Sequence, residues 1–142
     1  MSPDDVAALA ALCAVQQSVF TSTGAVVQTE TDPAAKAFLL GVSSDAGAFA
    51  VASHELLAAA LGGPSEADHA VDRAAAGIDP VDLAGAGDRL GAVVDELLPS
   101  VVAGIVEARS VIVDPAAQEL LARIDGALAA RRAAAARLRT AP

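Results

Sequence analysis

The sequence predicts an all-α fold: a four-helix bundle made of two antiparallel hairpins. Three observations carry this. The phrase Asp-Pro-Ala-Ala occurs twice, at Asp32-Pro33-Ala34-Ala35 and Asp114-Pro115-Ala116-Ala117, each time opening a long Ala/Leu-rich run. Apolar residues recur along the runs at alternating steps of three and four, which lines up one face of a helix. The turns at the two Asp-Pro phrases are very short, so the helices they join must be antiparallel neighbours. Repetition of the phrase points to a duplicated hairpin.

The elements follow in order, with helices expected over about residues 3–30, 33–61, 88–112 and 115–139 of a single domain spanning 1–142. Ser2-Pro3-Asp4-Asp5 starts the first. Its seam reads Val6, Leu9, Cys13, Gln16, Phe20, Thr23 and Val27. Asp32 starts the second, because Asp accepts hydrogen bonds from free first-turn N–H groups and Pro at the first helical position loses none. Its seam reads Phe38, Val42, Asp45, Phe49, Ala52 and Leu56, and Gly62-Gly63-Pro64 ends it. Residues 64–87 form a crossover with a short helix from Ser65 to Ala76, broken further on by Gly77, Asp79-Pro80, Gly85 and Gly87. A link of that length lets the second and third helices run parallel. The third helix begins near Asp79 or Asp88, with a seam of Leu90, Val94, Leu97, Val101, Ile105, Ala108 and Ile112. Pro99 inside it should cause a kink. The fourth seam reads Ala117, Leu121, Ile124, Leu128, Arg131, Ala135 and Leu138.

Composition narrows the function. The only aromatics are Phe20, Phe38 and Phe49, so the core should be tight and thin, and readers of stacked bases are argued against. The net charge is -9, and an acidic body repels nucleic acid and anionic lipid. Cations concentrate late, at Arg109, Arg123, Arg131, Arg132, Arg137 and Arg139, where they offset the dipoles of helix C-termini. Cys13 is the only cysteine and reads as a buried structural thiol in a reducing compartment. Val6 to Thr29 carries no charge. However, Asp4 and Asp5 precede it where a signal peptide has Lys or Arg, and Gln16, Gln17, Ser18, Thr21, Ser22 and Thr23 interrupt it. A cytoplasmic location without membrane association is the expectation.

The run Asp32-Pro33, Lys36-Ala37-Phe38, Phe49-Ala50 and Leu61-Gly62-Gly63 resembles the second helix of ferritin-like four-helix-bundle proteins, nearest an uncharacterised bacterial domain family of that superfamily. In metal-binding members the resemblance would imply a carboxylate from one helix and Glu-x-x-His from the next, repeated in each half. Here the mid-seam positions hold Gln16, Asp45, Phe49, Val101, Leu128 and Arg131, and no His follows His69. The resemblance therefore implies a ferritin-like chain without the di-metal centre.

Four constellations remain to be placed. Glu66-Ala67-Asp68-His69, with Asp72 one turn on and His54-Glu55 nearby, could offer Glu66, His69 and His54 to a metal ion; the alternative is a solvated polar helix. Gln16, Asp45 and Arg131 point inward on the seam assignment and form an interior polar network in place of the metal centre. A seam error of one position would instead leave Asp45 and Arg131 at the helix edge. Gly85-Ala86-Gly87 is a turn, since no strand precedes it and no P-loop Lys follows. The hydroxyls of Ser18, Thr21, Ser22 and Thr23 either line a pocket or bond back to helix carbonyls. No catalytic pair or cofactor motif appears. The expected function is a non-enzymatic accessory or interaction protein, as a homodimer or with a protein partner. The alternatives are a metal-binding or oxidative protein of the same fold and a small-molecule carrier that opens at Pro99.

Overall fold

The two Asp-Pro phrases cap helices as their chemistry requires. Asp32 Oδ2 accepts from Ala35 N at 2.9 Å, and Asp114 Oδ2 accepts from Ala117 N at 3.1 Å. A computed structural model of the chain describes residues 1–79, 83 and 88–140. Among these the secondary structure is entirely helical: α1 (Pro3–Thr29), α2 (Pro33–Leu61), α3 (Pro64–Ala75), α4 (Arg89–Ala92), a π-helical stretch (Val93–Leu97), α5 (Leu98–Val111) and α6 (Pro115–Thr140). The expected turn at Gly85-Ala86-Gly87 lies outside the described residues.

The α1–α2 turn is built by side chains. Glu30 Oε1 accepts from Thr31 N and Asp32 N, so the chain reverses within three residues. Gly62 ends α2 with φ 93, a left-handed conformation that disfavours any residue with a Cβ. Asp88 opens α4 by accepting from Gly91 N at 2.9 Å, which selects the later of the two expected starts.

Pro99 brings more than a plain kink. It has no N–H to give the Asp95 carbonyl, and its ring crowds that oxygen. The chain answers with the π-helical stretch immediately before it, in which Leu98 N reaches back to Val93 O. That widening shifts which side chains at its start face the core, while Leu97 stays buried. Val93 is buried, whereas the expected seam residues Leu90 and Val94 are only half-buried.

Contacts set the directions of the long helices. Cys13 faces Ala50 and Phe20 faces Ser43, so α1 and α2 are antiparallel. Arg109 bonds Asp125 and Arg139 bonds Asp95, so the α4–α5 rod and α6 are antiparallel as well. Further packing joins α1 to α5 and α2 to α6, while α3 lies across α1 and α2. The apolar interior falls into two clusters. One centres on Leu9, Leu57, Ile105 and Leu121; the other centres on Val19, Leu39, Val93 and Leu98. By length and composition alone, α1 and α2 could each cross a bilayer, with mean hydropathies of 1.4 and 1.3.

The expected seams of α1 and α2 also need correction. Phe20 is 51% exposed, and Val19 and Val26 are buried instead. In the second half of α2, Ala46, Ala50, Ser53 and Leu57 are buried, so Asp45, Phe49, Ala52 and Leu56 sit one position off the core. A strict three-four step drifts against the 3.6-residue turn of a straight helix. Small residues at 46, 50 and 53 also let neighbouring backbones come close, which larger seam residues would prevent.

One long-range bond closes the end of the molecule. Asp5 is 1% exposed and completes a capping box with Ser2. Its Oδ1 accepts from Val113 N at 2.9 Å, fastening the start of α1 to the α5–α6 turn. These backbone donors, Val113 first and then Ser2, hold the Asp5 carboxyl below its usual value of 3.8. A group lowered in this way stabilises the fold above its unfolded pKa, and that contribution is lost as the pH falls through the native value. Asp5→Ala should therefore lower the melting temperature at neutral pH, and the gap from wild type should close as the pH drops below 3.8, read by circular-dichroism melts at a series of pH values.

Candidate functional site

Between the two apolar clusters lies a layer with one buried polar residue, Gln16, and a charged pair at its edge. Gln16 of α1 is 3% exposed, and its Nε2 has no hydrogen-bond partner among the described residues. An orphaned buried amide of this kind costs about 1–3 kcal/mol. It faces a cavity of about 20 Å³, enough for one water, that Asp45 and Arg131 also line amid Val42, Phe49, Val101 and Leu128.

Asp45 and Arg131 meet as a two-pronged pair. Arg131 Nε donates to Asp45 Oδ2 at 2.7 Å, and Nη2 donates to Oδ1 at 3.2 Å. The carboxylate raises the Arg131 pKa chiefly through this hydrogen bond. Both side chains are about one-third exposed, at 31% and 33%, so the pair bridges α2 and α6 at their edge rather than in the interior. Solvent screening holds its worth to about 1 kcal/mol or less. The structure thus brings all three predicted residues to one cavity, with a correction. Only Gln16 is fully buried, and no hydrogen bond joins it to Asp45.

A fourth participant escaped sequence reading. The Arg131 guanidinium lies over Gly41, so a Cβ at that position would collide with it. The available signal was a glycine one helical turn before an aspartate on an otherwise apolar helix. With no Cβ, Gly41 leaves the space that the guanidinium fills.

The candidate metal ligands are arranged differently from expectation. His54 Nε2 lies 2.7 Å from Asp68 Oδ1, while Glu66 and His69 both face solvent on α3. One helical step decides this: Asp68 faces α2, and its neighbours at 66 and 69 do not. Among the described residues, no three His, Cys, Asp or Glu side chains gather closely enough to hold an ion. In the hydroxyl cluster, Thr21 bonds back to Gln17 O and Thr23 to Val19 O. The 240 Å³ apolar groove between α1 and α5 lies elsewhere, along Ala8, Leu12, Val15, Val101, Gly104 and Val111.

Cys13 is fully buried and donates to Ala50 O at 3.4 Å. Burial, then the charge of Asp68, pushes its thiol up to about 11 from 9.0. Such a thiol is a structural group and a poor nucleophile.

No family model matches the chain, and no curated protein or solved structure does so.

Two outcomes test this geometry. Gly41→Ala gains about 1 kcal/mol of helix propensity but displaces the Arg131 fork. The substitution should stabilise an Arg131→Ala background by that amount and wild type by less, measured as a double-mutant cycle in urea. Cys13 should resist thiol reagents in the folded chain and react once it is unfolded. Because its pKa is raised on folding, its contribution to stability should be intact below pH 9.0 and fall as the pH rises toward about 11, checked by comparing Cys13→Ala with wild type across that window.

Proposed function

We propose that this chain is a ferritin-like four-helix bundle that has lost the di-metal centre and acts through its surface as a cytoplasmic interaction or accessory protein. On this reading α1–α2 and α5–α6 are the two antiparallel hairpins, and the stretch containing α3 is the crossover that lets α2 and α5 run parallel. The pairwise packing supports this arrangement: α1 contacts α2 and α5, and α6 contacts the same two.

The observation that carries the proposal is the Asp45–Arg131 fork. A carboxylate on α2, between the two apolar clusters, has its charge answered by a guanidinium of the protein itself. In the di-metal members, the resemblance places metal-bridging carboxylates at that level. Here a fixed cation occupies the role, the neighbouring positions are Phe49 and Leu128, and the facing residue on α1 is the neutral Gln16. A carboxylate whose charge is already balanced by Arg attracts a metal cation less than a free one does. The rival metal-binding reading depends on Glu66, His69 and His54 converging, and His54 is instead paired with Asp68.

The test is metal loading. Purified protein incubated with ferrous, manganous or zinc ion and desalted should retain well under one ion per chain by elemental analysis. Arg131→Ala should not raise that figure, because the second set of ligands is missing. One tightly held ion per wild-type chain would overturn the reading.

A further inference from the structure

We propose that two copies of this chain pair antiparallel across the outer face of α2, around a two-fold axis near Ala46. The proposal deepens the surface-acting reading above by naming the surface and its occupant. Helix α2 carries two stripes. The inner one, through Leu39, Val42, Ala46, Ala50 and Leu57, is buried in the fold. The outer one runs Ala37, Leu40, Ser44, Ala48, Val51 and Glu55, also at steps of three and four, and every member is exposed. Leu40 is 57% and Val51 59% exposed, and the Phe20 ring flanks them from α1 with 51% of its surface in water. That spacing is the pattern of a helix awaiting another helix.

The charges say which helix. The outer stripe is uncharged along its length and ends in Glu55, with Lys36 beside its start. Neither residue makes an ion pair among the described residues. A two-fold axis brings together residues at matching separations on either side of its centre. With the centre near Ala46, Lys36 of each copy meets Glu55 of the other, Leu40 meets Val51, and Ser44 meets Ala48. The ends are complementary in charge, the flanks are apolar, and the middle is small enough for close approach. The open groove between α1 and α2, bordered by Phe20, Gly47, Ala48 and Val51, receives the partner's Leu40. A parallel pairing would set Lys36 against Lys36 and Glu55 against Glu55.

Sedimentation velocity of the full chain across a dilution series should show a monomer–dimer equilibrium. Lys36→Glu should raise the dimer dissociation constant by about tenfold, because repulsion replaces attraction at both symmetry-related contacts. Adding Glu55→Lys should restore it. Val51→Asp should abolish the dimer while leaving the circular-dichroism melt near wild type, since Val51 is a surface residue. A carbodiimide cross-link then reads the register directly. It joins an amine to a carboxylate with loss of water, and Lys36 is the only lysine in the chain. Along one helix, Lys36 and Glu55 are about 28 Å apart, so a Lys36–Glu55 link found by mass spectrometry must join two molecules. A monomer at every concentration overturns the proposal. A dimer indifferent to Lys36→Glu and Val51→Asp overturns this surface but leaves the surface-acting reading standing, and only stoichiometric metal binding would remove that reading.

Discussion

Register is the constraint on which this structure depends. The helices pack through alanine, serine and glycine, with leucine and valine filling between them and few aromatic rings to interlock. Faces of that kind attract one another well but tolerate sliding, because one alanine turn resembles the next. What fixes the register is a small set of polar contacts spread along the rods. Cys13 to Ala50 O and Ser43 to Phe20 O set α1 against α2. Asp45 to Arg131 sets α2 against α6. Arg139 to Asp95 and Arg109 to Asp125 set α6 against the rod before it, and Asp5 to Val113 N locks the end. Individually these contacts add little energy. Together they exclude alternative alignments that apolar burial alone would leave nearly degenerate.

That division of labour explains what could be read from the chain. Helix limits were legible because caps are local: an aspartate before a proline needs only the next three residues to act, and Asp32 and Asp114 both do so. The Asp5–Val113 bond was not legible, because nothing near Asp5 marks a partner more than a hundred residues away. Phe20 was misplaced for the complementary reason. Its size argues for the core, but the space beside Gly47 lets its ring lie on the rim. At Leu90 and Val94 the expected seam was off, while Leu97 is buried as expected, since a missing N–H shows in sequence while the π-helical response to it does not.

The candidate site was half legible for the same cause. Three residues chosen for their polarity on apolar seams, Gln16, Asp45 and Arg131, line one cavity. Of the two placements the seams allowed, Asp45 and Arg131 take the edge, because the second half of α2 turns by one position. The pairing survives the rotation because an arginine side chain is long enough to follow it. Polarity reports which residues need partners. Burial depends on helix phase, which drifts along a 29-residue helix such as α2.

Helices α1 and α2 are apolar on more than one side, with Phe20, Leu40 and Val51 left in water. A bilayer is one candidate, since both helices meet the length and hydropathy requirements, with 44% and 39% of their apolar windows buried in the fold. Spanning a bilayer would carry Asp45 and Gln17 to mid-depth, where an ionised carboxylate costs several kcal/mol unless fully enclosed. Asp45 is one-third exposed, so enclosure by Arg131 alone is incomplete. A second copy asks for no such concession. It would cover the stripe between Lys36 and Glu55, leave Asp45 at the edge with water and Arg131, and use the two charges that bracket the stripe. The same helix thus has one face committed to its own fold and an opposite face whose pattern, length and end charges suit an antiparallel copy of itself better than lipid.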